Sequence, residues 1–336
     1  MSIVSVEDLS KTYKNFSRRR GLKGAMRDLF FRQYRSITAV DKISFTVEPG
    51  EILGYIGPNG AGKSTSIKML TGVLKPSSGN VSVMSFDPFK DRKAYAKHIG
   101  VVFGQRTQLW WDIAVFESFS LLAKIYEVEK SAFCARLEIL SEVLDLKPLL
   151  STSVRKLSLG QRMRCDLAAS MIHNPKILFL DEPTIGLDAV AKDNVRKFLR
   201  RINKEFNTTI ILTTHDLKEI EELCARIIVI DKGRKVFDGL LELIKSLSGL
   251  KHQMCVDFVT EPPEQELKSL FSGKVVLEKK GERRLIMAYD PKGVSTVEIL
   301  RAIMQHHEVA DINISQPSIE EIVTKLYREG GNDGLY

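Results

Sequence analysis

Residues 177–180 (Ile-Leu-Phe-Leu), 209–214 (Thr-Ile-Ile-Leu-Thr-Thr) and 226–230 (Arg-Ile-Ile-Val-Ile) form short apolar runs. Each reads as a strand, and helical periodicity separates them. Residues 51–56 read as another buried strand, and 66–72 as a helix stopped by Gly72. Residues 3–6 and 39–47 alternate apolar with polar positions and read as strands, as do 80–83 and 99–103. From Val115 to about Met171 the period is helical, with a break near Pro148. Apolar strands alternating with helices predict a mostly parallel sheet covered on both faces.

The pattern changes after about Leu243. Residues 252–259 read as a strand, 263–271 as a helix, 274–279 and 284–289 as a hairpin turning at 280–282, 295–306 as a helix and 309–314 as a strand. This β-α-β-β-α-β order is the split-βαβ, ferredoxin-like pattern. A last helix over 318–327 follows Pro317. The expected domains are 1–243, α/β, and 244–336, a small α+β unit.

One stretch stands apart. Over residues 17–35, seven bases, Arg18, Arg19, Arg20, Lys23, Arg27, Arg32 and Arg35, face one acid, Asp28. Leu22, Met26, Leu29, Phe30 and Tyr34 share one side of a helix, with Phe31 off the stripe. The stretch reads as an insertion between two sheet strands. Its stripe packs on the protein's own sheet, or it lies on an anionic membrane surface or a permease rim.

Composition narrows the class. The chain has 336 residues, 43% of them hydrophobic, with a net charge of +8. That is long enough for two cores. No apolar run approaches the ~18 residues of a membrane span, and the N-terminus lacks the charged and apolar regions of a signal peptide. Cys134, Cys165, Cys224 and Cys255 are far apart and read as free thiols in a reducing compartment.

The chemistry centres on Gly57-Pro58-Asn59-Gly60-Ala61-Gly62-Lys63-Ser64-Thr65. This fits G-x-x-x-x-G-K-[ST] between a strand and a helix, the context a phosphate-binding loop requires. Its glycines let backbone N–H groups wrap an anion. Lys63 supplies a charge for β- and γ-phosphates, and the Ser64 hydroxyl is placed for Mg²⁺. A second apolar strand ends in Asp181, an acid for Mg²⁺, followed by Glu182, suited to polarise an attacking water. Ser158, Gly160 and Gln161 open a helix whose N-terminus suits phosphate. The amide oxygen of Gln105 is within reach of metal and water, and His215 ends its own strand, where it can bond a γ-phosphate. His98, His173, His252, His306 and His307 show no ligand spacing and receive no role.

Taken in order, this set resembles the nucleotide-binding subunit of ABC transporters, over about residues 3–239. The resemblance rests on 57–65, Gln105, 157–161, 177–182, Gly186-Leu187-Asp188 and His215. It implies a P-loop NTPase fold of the ABC ATPase type with a helical subdomain over about 106–171. It makes Gln105 the Q-loop, Ser158 and Gly160 the signature, Asp188 the D-loop acid and His215 the switch histidine. Tyr13 becomes the candidate aromatic stacking on adenine; otherwise it caps the sheet edge. Leu159 departs from the family, where many members have glycine.

A finer resemblance is to ATPases of ABC-2-type exporters with a C-terminal accessory domain, on residues 316–321, Gln-Pro-Ser-Ile-Glu-Glu. The insertion is similar to that of the viologen-exporter-like subgroup and of polysaccharide-exporter ATPases, and the tail to that of drug-exporter ATPases. The implied protein is an ATPase using ATP and Mg²⁺ on the cytoplasmic face of the cell membrane. It powers a separate ABC-2-type permease as a homodimer or heterodimer, with no nucleic acid expected. Trp110 and Trp111, just after Gln105, either pack internally or line a groove for a membrane-domain helix. Two other readings are a soluble ABC ATPase acting on ribosomes or nucleic acid, and an ATP-switched regulatory module.

Overall fold

A computed structural model of the chain describes residues 2–16, 34–104, 106–247, 251–262, 264–271, 273–315 and 317–329. It divides into two units, residues 1–240 and 241–335.

The first unit is built on a six-stranded sheet. Its strands are β3 (Ile52–Ile56), β5 (Ile99–Phe103), β6 (Ile177–Asp181), β7 (Thr209–Thr213), β8 (Arg226–Asp231) and β9 (Arg234–Leu240). Their order is β5-β6-β7-β3-β8-β9, parallel except for the β8–β9 hairpin. The apolar runs are strands because both faces are covered: every residue of β7 is buried. A second, antiparallel sheet of order β2-β1-β4 joins β1 (Val4–Phe16), β2 (Tyr34–Val47) and β4 (Ser78–Val83). Val4, Val6, Val40, Ile43 and Phe45 from it share one core with Leu53, Tyr55 and Phe179 of the larger sheet.

Helices follow from stripes and caps. The first, α1 (Lys63–Leu70), begins at Lys63 rather than Ser66, because the phosphate loop runs straight into it. A short α2 (Arg92–Ala96) precedes β5. The region read as helical over 115–171 resolves into α3 (Val115–Ile125), α4 (Lys130–Val143) and α5 (Leu159–Met171). In α5 nearly every residue after Arg164 is buried. In α6 (Ala189–Phe206) Val195, Phe198, Leu199 and Ile202 are buried at i, i+3, i+4 and i+7. Asp188 caps its start and Asn207, at φ 51°, its end. The helix α7 (Leu217–Leu223) leads to β8.

The reading of the basic stretch is corrected at its end. Tyr34 and Arg35 belong to β2, paired with Phe16 and Asn15 of β1, so Tyr34 is not part of a helical stripe. The hairpin pairing carries extended backbone further than the alternation of residues 39–47 indicated. The rest of the stretch, residues 17–33, lies outside the described residues.

The second unit opens with α8 (Leu241–Leu247), against which α11 (Ile319–Glu329) packs. Between them β10 (His252–Phe258), α9 (Glu264–Leu270), β11 (Val275–Lys279), β12 (Arg284–Tyr289), α10 (Thr296–His306) and β13 (Val309–Ser315) follow the β-α-β-β-α-β order. The sheet is wholly antiparallel, in the order β11-β12-β10-β13. Its core joins Met254, Val256, Phe258, Leu285, Met287 and Tyr289 to Leu267, Ile299 and Ile303 of the two helices. Alternation in β10 and β12 is strict because one face alone meets those helices.

Candidate functional site

The phosphate loop leaves β3 at Gly57. A side chain there would sit 2.5 Å from the carbonyl oxygen of Ile230 on β8. Gly62, at φ 108°, caps α1 where a Cβ would lie 2.4 Å from the oxygen of Ala39. These contacts hold the loop close to the sheet, so its N–H groups gather at the start of α1. Lys63 is buried, and its ammonium donates to the carbonyls of Gly57 (2.7 Å) and Pro58 (3.3 Å). The charge is thus folded back over the loop that carries it.

The ends of β6 and β7 complete the site. Ser64 Oγ donates to Asp181 Oδ1 at 3.1 Å, and Thr213 Oγ1 donates to the same oxygen at 2.7 Å. The N–H of Glu182 donates to Thr213 O and Thr213 Oγ1, at 3.0 and 3.1 Å. Glu182 stands at φ 53°, a left-handed conformation that costs a non-glycine residue about 1 kcal/mol. The two acids have different partners: Asp181 takes Ser64 and Thr213, and Glu182 faces Lys63 and His215. Glu182 Oε1 lies 3.7 Å from the Lys63 ammonium, and Oε2 lies 3.6 Å from His215 Nδ1. Gly104 fits beneath, where a Cβ would lie 2.0 Å from the oxygen of Glu182.

A cavity of about 330 Å³ opens here, lined by Ser64, Lys68, Val73, Phe103, Gly104, Arg106, Asp181 and Glu182. Ser64, Asp181 and Glu182 line this cavity, and Lys63 and His215 join them through the Glu182 carboxylate. Tyr13, Ser158, Gly160, Gln161 and Asp188 are not among its lining residues. Gln105 lies outside the described residues. Tyr13 is on β1, with the Lys11 ammonium 5.5 Å from its ring centroid. Ser158 caps α5 in a reciprocal box: Gln161 N–H donates to Ser158 Oγ at 3.2 Å, and Ser158 N–H to Gln161 Oε1 at 2.9 Å. Asp188 Oδ1 accepts from Ala191 N–H at 2.8 Å. Leu159 packs toward Gly186: a Cβ on Gly186 would be 2.9 Å from Leu159 Cδ2.

Sequence reasoning passed over Thr213, Lys68 and Arg106. Thr213 ends an apolar run, and a hydroxyl there is read as strand propensity until β7 is seen beside β6. Arg106 directly follows Gln105, the one signal that marked its neighbourhood.

Residues 40–185 match the family model described as ABC transporter. The chain is 34% identical over 206 residues to the ABC transporter ATP-binding protein NatA of Bacillus subtilis (strain 168), covering 61% of this chain and 83% of that one. The chain belongs to the ABC transporter ATP-binding family. It is 38% identical over 209 residues to the Nod factor export ATP-binding protein I of Burkholderia pseudomallei (strain 1710b), with coverage of 62% and 68%. It is 30% identical over 305 residues to the methionine import ATP-binding protein MetN 2 of Enterococcus faecalis, with coverage of 89% and 86%. Among solved structures, the ATP binding subunit of an ABC transporter superposes with a TM-score of 0.61 at 25% identity, over 74% of this chain and 94% of that one. The protein is thus an ABC ATPase that binds and hydrolyses ATP. Among the described residues no helix is long and apolar enough to cross a membrane.

Proposed function

We propose that this ABC ATPase powers export through a separate membrane permease of the ABC-2 type, working at the cytoplasmic face of the membrane. The observation that carries the catalytic part is the placement of Glu182, with one carboxylate oxygen toward Lys63 and the other toward His215. On nucleotide binding, the Lys63 ammonium exchanges the carbonyls of Gly57 and Pro58 for the β- and γ-phosphates. The loop N–H groups of residues 57–65 cradle the same phosphates. Glu182 orients the attacking water and accepts its proton, while His215 bonds the γ-phosphate and keeps Glu182 in place. By the family resemblance, Gln105 senses the metal and the attacking water, and Tyr13 stacks on adenine.

Ser64 and Asp181 converge as two hard oxygen donors, which fits Mg²⁺ completed by phosphate and water. When bound, Mg²⁺ neutralises charge building on the phosphate oxygens. The clamp from Ser158, Gly160 and Gln161, with Asp188, belongs to a second copy or a related subunit closing over the nucleotide. The basic residues 18–35 add contact to an anionic membrane surface. Trp110 and Trp111, 41% and 48% exposed, present apolar area for the permease.

Export follows the Nod factor export relative. Import is the second reading, favoured by the MetN 2 match, which extends over 89% of the chain. Purification from membranes with identification of the bound permease tests the reading. Recovery of an ABC-2 permease supports it, and association with ribosomes or nucleic acid alone overturns it.

A further inference from the structure

The helix α5 carries a buried acid that the nucleotide chemistry does not use. Asp166 is 4% exposed. Its Oδ1 accepts from Thr107 Oγ1 at 2.8 Å and from Gln108 N–H at 3.0 Å. The Gln108 side chain returns the contact, donating Nε2 to the Asp166 carbonyl at 3.0 Å. Thr107 Oγ1 in turn accepts from Leu109 N–H at 3.1 Å. One helical turn earlier, the Arg162 guanidinium lies over the Trp111 ring, 5.2 Å from its centroid.

These contacts have two ends of functional interest. Segment 106–111 leaves the cavity, which Arg106 lines, and Gly104 N–H is bonded to Asp181 O at 2.9 Å. The helix α5 begins at Ser158. A buried carboxylate is costly without partners, and apolar packing would hold a helix here more cheaply. What a carboxylate adds is direction, since it fixes which backbone groups of the segment move with the helix. Burial pushes its acid pKa up to about 6, and the bonds from Thr107 and Gln108 oppose that shift.

We propose that Asp166 is a positioning residue that fastens segment 106–111 to α5, so that movement at the nucleotide cavity and movement of the Ser158 end occur as one. The inference rests on the proposed function, because the Ser158 end matters to catalysis only if it clamps nucleotide.

The test uses the full chain with Asp166→Ala, Asp166→Asn and Thr107→Val. Asp166→Ala is expected to leave ATP affinity by calorimetry unchanged while kcat falls about tenfold, the scale of a lost buried hydrogen-bonded pair. Asp166→Asn keeps an acceptor oxygen and restores kcat to within about threefold. Thr107→Val lowers kcat and adds nothing further to Asp166→Ala in the double variant. Unchanged kcat in both Asp166→Ala and Thr107→Val overturns the proposal, as does a parallel loss of ATP affinity. Should Asp166→Ala not fold, Thr107→Val carries the same comparison. Hydrogen exchange without nucleotide separates this inference from the function it rests on. The link predicts faster exchange in the variants at 106–111 and at 158–162 together; faster exchange at 106–111 alone contradicts it. Wild-type protein without ATPase activity would refute the functional reading and leave that exchange result to decide the link.

Discussion

The ammonium of Lys63 and the carboxylate of Glu182 face each other at 3.7 Å across the mouth of the phosphate loop. Lys63 is held from behind by the carbonyls of Gly57 and Pro58, so its charge has partners before nucleotide arrives. Phosphate therefore replaces existing partners, and removing the charge leaves the loop with nothing to offer the β- and γ-oxygens. Lys63→Ala is expected to weaken ATP binding by at least about tenfold, consistent with losing a charge-assisted contact. Calorimetry measures it, and unchanged affinity contradicts the role.

The second expectation concerns Ser158. It caps α5, and in the proposed arrangement it meets the nucleotide of a second subunit. Ser158→Arg should leave ATP binding by the separate subunit intact while blocking ATP-driven dimerisation and lowering hydrolysis by about a hundredfold, since a bulky cation replaces a phosphate contact. Analytical ultracentrifugation with and without ATP reads it. Normal ATP-driven dimerisation would remove the clamp from this residue.

A pH dependence follows from His173, far from any assigned role. Its ring stacks on Tyr126 at 3.9 Å and 7°. Nε2 faces Ile99 O at 2.8 Å and so carries the proton, while Nδ1 is buried without a partner. Burial holds the imidazole down to about 4, below the ordinary 6.5. On acidification the unfolded chain takes up this proton and the folded chain does not. The contribution is therefore complete above pH ~6.5 and lost progressively toward pH ~4, by up to about 3 kcal/mol. Asp166, raised to about 6, acts in the opposite sense as pH falls. The comparison is thus between wild type and His173→Phe, which keeps a ring against Tyr126. Urea unfolding at pH 7 and pH 5 should show the larger acid loss in wild type; equal losses would contradict the assignment.

The basic stretch yields a fourth expectation. Replacing Arg18, Arg19, Arg20 and Arg27 by Gln should leave ATPase activity of the purified protein near normal and reduce binding to anionic vesicles. Each base near such a surface contributes about 1 kcal/mol, and salt screens it, so the difference should be largest at low ionic strength. Equal vesicle binding by both proteins would assign the stretch to the protein's own packing.

Much of this was legible in the residues because local rules and tertiary fold agree. The loop 57–65 announces itself between a strand and a helix, and the split-βαβ tail is written in strict alternation. What stayed hidden depended on neighbours distant in sequence. Thr213 acts on Asp181 only because β7 lies beside β6. The left-handed backbone at Glu182 is a feature that no pattern of residue types displays. Tyr34 was drawn into a helical stripe because its apolar spacing matched, whereas pairing with Phe16 made it strand. The strand β9 was passed over because polar residues interrupt its apolar positions.

The central claim is that Glu182, set between Lys63 and His215, orients the water that cleaves ATP. Glu182→Gln keeps the size of the side chain but cannot accept the proton. Its direct test is steady-state hydrolysis of Mg-ATP by the purified Glu182→Gln protein, with size-exclusion chromatography of the same sample. The account predicts ATP binding as in wild type, hydrolysis reduced by at least about a hundredfold, and an ATP-trapped species of doubled mass. Near-normal hydrolysis with no trapped dimer would contradict it.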